Sequence, residues 1–214
     1  LLIAEAFWMT EMYFVRSLGM HRVYNSAFMH ALRDEQNGEF MRTLREFREH
    51  DHATLMRFVN YLSTPDEESA QAHFPHADKY FGAMVLMATL PGLPMLAPGQ
   101  TEGYREKYGM DQDAPLRGES VDEYLVHRHR AQISPLLQRR SEFADPLSLE
   151  FPAAEKPEQV ILYTTGRSQR HIVIFEPGPL GTIEDADAFA APGQRLRLGH
   201  RSGGGMNGLG LPAF

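Results

Sequence analysis

Apolar residues gather in four short runs along the first half of the chain, each closed by polar or turn-forming residues. Leu1–Ala4 passes directly into Glu5. His21–Asn25, HRVYN, is a brief second run. Leu55–Asn60 mixes helix and strand signals and predicts a strand at Phe58–Leu62. Leu93–Ala97 is flanked by prolines and places Pro94 at the first position of a strand, where a missing N–H is tolerated. The run Leu1–Ala4 reads as a short buried strand.

Between these runs the spacing turns helical. Trp8, Glu11, Met12 and Val15 share a stripe, with Gly19 as the stop. Ser26 is the predicted cap of the next helix. Its apolar face runs through Phe28, Met29 and Leu32 to Met41, Leu44 and Phe47, with Asn37-Gly38 breaking it in two. Asp78–Leu90 is almost uniformly apolar after Lys79, which predicts a helix buried against a sheet and ended by Pro91-Gly92. Ser63–Glu67, His73–His76 and Pro98–Gly103 read as loops. Strand and helix alternate, so a parallel sheet covered by helices is expected.

The second half has a different character. Tyr104–Gly118 is polar and irregular. Ser120 and Glu123 form a capping-box pattern before a last helix with Tyr124, Leu125, Ile133, Leu136 and Leu137 on its apolar stripe. His127–Arg130, HRHR, reads as a solvated helix face or as local pairing with acids. Val160–Thr164 and His171–Phe175 predict an antiparallel pair. Asp185–Ala191 is loop or a helical turn, Arg195–Leu198 an edge strand, and Arg201–Phe214 a glycine-rich tail expected to be mobile. The natural division falls between residues 1–143 and 144–214.

Charge and composition narrow the chemistry. A net charge of −7 gives no support for a nucleic-acid partner. Cys is absent, so disulfides and thiolate zinc sites are excluded. The longest apolar run, Phe81–Met87, is too short to span a membrane, and no membrane association is expected. His73, His76 and Asp78 match no metal motif, and no glycine loop precedes a helix with a Lys. No cofactor is expected in these residues. The chain opens inside an apolar strand, so it is expected to begin within a domain, to lack the first half of its fold and to be unstable alone. The compartment stays open, with the cytoplasm slightly favoured.

Three segments together resemble the alpha-amylase family, the retaining alpha-glucan hydrolases and transferases built on a (β/α)8 barrel. LLIAEAFW, Leu1–Trp8, is similar to the fifth barrel strand with its terminal Glu. STPDEESA, Ser63–Ala70, resembles the Asn-His-Asp segment after the seventh strand. LPGLPMLAPGQTEG, Leu90–Gly103, resembles the eighth strand and its exit loop. The resemblance implies an α/β fold: the C-terminal half of a TIM barrel, strands five to eight, followed by a small antiparallel β-domain.

It also implies roles. Glu5 falls on the general acid/base and Asp66 on the aspartate that holds sugar hydroxyls and stabilises the transition state. Retention needs two carboxyl groups about 5–5.5 Å apart, one to protonate the leaving oxygen and one to attack the anomeric carbon. The family's nucleophilic aspartate lies on the fourth strand, before Leu1. Pro65 stands where the family commonly has His, so contact at the reactive sugar must differ. Further candidate contacts to an alpha-glucan or maltooligosaccharide are Trp8, Tyr24, Asn25, Tyr61, Gln100 and Glu102. Structural calcium is expected only in a complete protein, through residues outside this chain. Hydrolysis and glycosyl transfer both fit, as does a carbohydrate-binding homologue without chemistry. An unrelated α/β protein is the remaining reading.

Overall fold

The computed structural model describes residues 1–6, 10–107, 118–154 and 156–175. Trp8 lies outside them, as do the segments 185–191, 195–198 and 201–214 on which expectations were placed. Four short strands, β1 (Ile3–Ala4), β2 (Arg22–Tyr24), β3 (Phe58–Asn60) and β4 (Leu93–Pro94), form one sheet in sequence order. All pairings are parallel, with Ala4 beside Val23, Tyr24 beside Val59 and Asn60 beside Pro94. The four expected strands are all present, each shorter than its apolar run. Tyr61 and Leu62 continue the buried run beyond β3 without joining the ladder.

Helices connect them. α1 (Glu11–Arg16) lies between β1 and β2, and Gly19 leaves it at φ 72°. α2 (Ser26–Arg33), α3 (Asn37–His50) and the single turn α4 (His52–Leu55) separate β2 from β3. α5 (Ala70–His73) and α6 (Ala77–Thr89) separate β3 from β4. This is a succession of βα units, as a parallel sheet requires. The expected loop at His73–His76 is partly helical, because the Ser69 side chain accepts from Ala72 N at 3.3 Å and starts a turn.

Two helix boundaries differ from expectation. Asn25, not Ser26, caps α2, its Oδ1 accepting from Phe28 N at 3.2 Å. The break before α3 falls at Asp34–Gln36, where Glu35 takes φ 59°. Asn37-Gly38 instead opens α3 and receives a distant segment: Asn37 Nδ2 donates to Gln159 O at 2.6 Å. A Cβ on Gly38 would lie 1.6 Å from the Glu158 carboxylate.

The last helical stretch runs through α7 (Glu123–Arg128), a π-helical turn (His129–Ile133), α8 (Ser134–Gln138) and α9 (Arg140–Phe143). Asp122 caps α7, accepting from Tyr124 N and Leu125 N at 3.0 and 3.1 Å, so the predicted capping box at Ser120 does not form. In HRHR, His127 and Arg130 are exposed and Arg128 donates to Asp78 at 2.8 Å, as expected of a solvated, acid-paired face. His129 departs from that reading, being buried against Tyr80 and Phe81.

β5 (Ile161–Thr165) and β6 (His171–Phe175) form the expected antiparallel pair, from Ile161 opposite Phe175 to Thr165 opposite His171. Their inward side chains, Ile161, Tyr163, Val173 and Phe175, join the apolar cluster that contains Met84, Leu86 and Met87 of α6. That explains a helix apolar almost all round: α6 packs between the sheet and the hairpin. Gly82 lets Phe175 approach so closely that a Cβ there would sit 2.4 Å from the ring. The hydroxyls of Thr89 and Tyr163 lie 2.6 Å apart in the same interior. Arg140 reaches across the C-terminal end of α6, donating to the carbonyls of Ala88 at 3.3 Å, Leu90 and Gly92 at 2.8 Å. Among the described residues no helix is long and apolar enough to cross a membrane.

Candidate functional site at the carboxyl ends of the parallel strands

In βα sheets the loops leaving the carboxyl ends of the strands carry the chemistry, because the strands hold those ends rigidly side by side. β1 ends into Glu5, which is exposed. β2 ends on Tyr24 and passes to Asn25, and β3 ends on Asn60 and passes to Tyr61. Phe7 and Trp8, which follow Glu5 closely in the sequence, lie outside the described residues.

Tyr24 and Tyr61 face each other with ring centroids 5.3 Å apart. Burial raises the pKa of the Tyr24 phenol, and the negative charge of Glu5 pushes it the same way. Burial also drives the Tyr61 phenol far up, reinforced by Glu67 and then by Glu5. Glu5 therefore acts on the same patch as both tyrosines. Tyr61 has no exposed surface, and its hydroxyl is buried without a hydrogen-bond partner.

Asn25 spends both ends of its amide inside the fold. Its oxygen caps α2, and its Nδ2 donates to Asn60 Oδ1 at 2.9 Å. Asn60 in turn donates to Pro91 O at 3.0 Å. Asn60 went unnoticed in the sequence, although an amide closing an otherwise apolar strand is a signal for such a link.

The loop after β3 carries Asp66, exposed, and Glu67, half-buried. Glu67 Oε1 faces His30 Nε2 of α2 at 3.8 Å, while Oε2 is buried without a hydrogen-bond partner. Glu67 ends the segment Ser63–Glu67 that the sequence marks as loop. Only the folded loop reveals that it turns toward Tyr61.

The loop after β4 carries Gln100 and Glu102. Gln100 is buried: its Oε1 accepts from Ala97 N at 3.1 Å, and its Nε2 donates to the Tyr80 hydroxyl at 3.3 Å. Its backbone carbonyl accepts from Gln71 Nε2 at 2.9 Å. Glu102 is half-buried and accepts from Thr101 Oγ1 at 2.7 Å. The structure thus gathers Glu5, Tyr24 and Tyr61, sets Asp66 on the neighbouring loop, and seats Gln100 in the interior.

No metal site emerges among the described residues: no three His, Asp or Glu side chains gather. His73 Nδ1 lies 3.1 Å from Leu62 O, and Asp78 is engaged by Arg128.

No family model and no curated protein matches the sequence. Solved structures do match the fold. The ligand-free cyclic alpha-maltosyl-(1→6)-maltose hydrolase from Arthrobacter globiformis superposes with TM-score 0.64 at 16% identity, over 82% of this chain and 42% of that one. A debranching enzyme from Nostoc punctiforme gives 0.60 at 15% identity, covering 81% and 40%. A maltogenic alpha-amylase from Thermotoga neapolitana gives 0.53 at 18% identity, covering 81% and 41%. The chain spans about two-fifths of the length of these structures. The chain shares the fold of the matching part of these structures: a partial (β/α) barrel followed by a small antiparallel β-sheet.

Proposed function

We propose that this chain is part of a retaining alpha-glucan-active glycoside hydrolase, with Glu5 as general acid/base and Asp66 as the acid that stabilises the transition state. One observation carries the reading: Glu5 and the Asp66 loop leave the carboxyl ends of strands in one parallel sheet whose fold is shared with alpha-glucan enzymes. Glu5 protonates the leaving glycosidic oxygen and then, as a carboxylate, takes the proton of the attacking water. Asp66 holds hydroxyls of the reacting sugar as positive charge grows at its anomeric carbon. Tyr24 and Glu102 border the glucan, and Trp8 offers a stacking face. Asn25, Tyr61 and Gln100 support this rim from within. The nucleophilic aspartate comes from a barrel strand other than these four.

The test is Glu5→Gln in the complete barrel protein. It should lower kcat on a maltooligosaccharide by about 10³-fold or more with the substrate Kd little changed. Near-wild-type turnover would sink the assignment. On this reading the isolated 214-residue chain should show no glucan cleavage, because the reading takes the nucleophile from a barrel strand other than β1 to β4. Glycosyl transfer follows the same steps to the covalent intermediate and differs in the attacking hydroxyl. Pro65 favours a second reading, a carbohydrate-binding role without chemistry, which glucan binding without turnover by the wild type would reveal.

A further inference from the structure

The loop after β4 is held from below by a buried chain of polar groups that the glycosidase chemistry does not use. His129 Nε2 in the π-helical turn lies 2.8 Å from the Tyr80 hydroxyl of α6. That hydroxyl accepts from Gln100 Nε2 at 3.3 Å and lies 3.4 Å from Gln100 O. Gln100 Oε1 then closes the loop by accepting from Ala97 N. His129, Tyr80 and Gln100 are all buried. At its far end the loop is tied to the start of α7, with Asp122 N donating to Glu102 O at 2.9 Å. A π-helical turn is an uncommon device and often marks a functional position.

We propose that His129 is a positioning residue: through Tyr80 and Gln100 it fixes the loop that carries Glu102 to the sugar rim, and it does so only while its imidazole is neutral. As to substrate, this rests on the glycosidase reading; the mechanical part stands independently of it.

The hydrogen-bond inventory gives the reason. A neutral imidazole bearing its proton on Nδ1 accepts the Tyr80 hydroxyl at Nε2, which leaves the Tyr80 oxygen free to accept from Gln100. A protonated imidazole has only donors. Nε2–H then points at the Tyr80 oxygen, and the hydroxyl hydrogen must turn to the longer contact with Gln100 O. The cation also stands among the rings of Tyr80 and Phe81, 5.5 and 5.1 Å away. The charges that act on it are Glu102 of the loop, which favours protonation, and Arg128 on its own helix, which opposes it. Burial outweighs both and lowers its pKa from 6.5. The sign follows: the unfolded or opened state binds the proton more readily. The latch is fully present above about pH 6.5 and weakens as the pH falls toward the lower folded value.

The test uses the complete protein, the His129→Gln variant and two readouts. Gln presents an amide in place of the imidazole and cannot become charged. Hydrogen exchange of the peptide spanning residues 95–107, corrected for chemical rate, should quicken in the wild type between about pH 7 and pH 5 and stay level in His129→Gln. On a maltooligosaccharide the wild-type KM should rise roughly 10-fold over that interval with a smaller change in kcat, and His129→Gln should flatten the rise. Equal exchange at both pH values, or the same pH dependence in both proteins, overturns the proposal. The expected exchange pattern in a protein that does not turn over glucan would uphold the latch and reject the glycosidase reading. A direct titration of the His129 ring by NMR in the wild type guards against a misfolded variant: an imidazole titrating at or above 6.5 overturns the proposal.

Discussion

Asn25 Nδ2 donates to Asn60 Oδ1 at 2.9 Å, which links the carboxyl ends of β2 and β3 by side chains where the backbone ladder stops. Asn60 passes the link on to Pro91 O, the carbonyl just before β4. Asn60→Ala leaves Pro91 O without this donor and Asn25 Nδ2 without its acceptor, and should cost about 2–4 kcal/mol in urea unfolding. In a double-mutant cycle with Asn25→Ala the two should couple by about 1 kcal/mol, and strictly additive losses would show that the pair does not act as one link.

Arg140 gathers three carbonyls at the end of α6 and the turn beyond. Burial lowers its pKa to about 10, so it stays charged at neutral pH. Arg140→Met should destabilise by about 3 kcal/mol, since those carbonyls lose a charged donor. Arg140→Lys should recover less than half, because one ammonium cannot span the fork. Full recovery by Lys in thermal melts would mean that charge, not shape, matters.

The Tyr61 hydroxyl is buried without a hydrogen-bond partner. Tyr61→Phe keeps the ring against Tyr24 and removes only that hydroxyl. It should leave stability within about 0.5 kcal/mol or raise it by about 1. A loss above about 2 kcal/mol would show that the hydroxyl is engaged after all.

Gly82 and Phe175 join α6 to β6. Gly82→Ala gains about 1 kcal/mol of helix propensity but forces a methyl into the ring, so a net loss of about 1–2 kcal/mol is expected. In a Phe175→Leu background the same change should become stabilising. Calorimetry on the four proteins decides it, and a loss of equal size in both backgrounds would remove Phe175 from the account.

The strands were readable because each combined an apolar run with an abrupt polar or turn-forming exit; only β3 is buried throughout, and Ile3 of β1 and Leu93 of β4 are exposed. The helix edges were readable only to within a residue or two. Asn25 and Ser26 are both good caps, and only backbone geometry chose Asn25. Asn37-Gly38 looked like a breaker because local rules see turn residues, whereas its glycine makes room for Glu158 far along the chain. HRHR resembled a wet surface because composition does not show that a π turn buries its third residue. That Glu5 follows the carboxyl end of β1 and Asp66 lies in the loop after β3 was legible from the strand positions. Glu67, Asn60 and the His129–Tyr80 contact were not, since each depends on a partner many residues away.

The π-helical turn His129–Ile133 makes the length of this segment matter as much as its composition. It holds one residue more than regular winding would use. Deleting one residue there would let an α-helix run on with the segments on either side close to their present register. Arg140 would keep its place at the end of α6, while the widened turn that seats His129 against Tyr80 would close. The extra residue therefore serves the local outline of the chain at His129 and leaves the course of the helix beyond it unchanged.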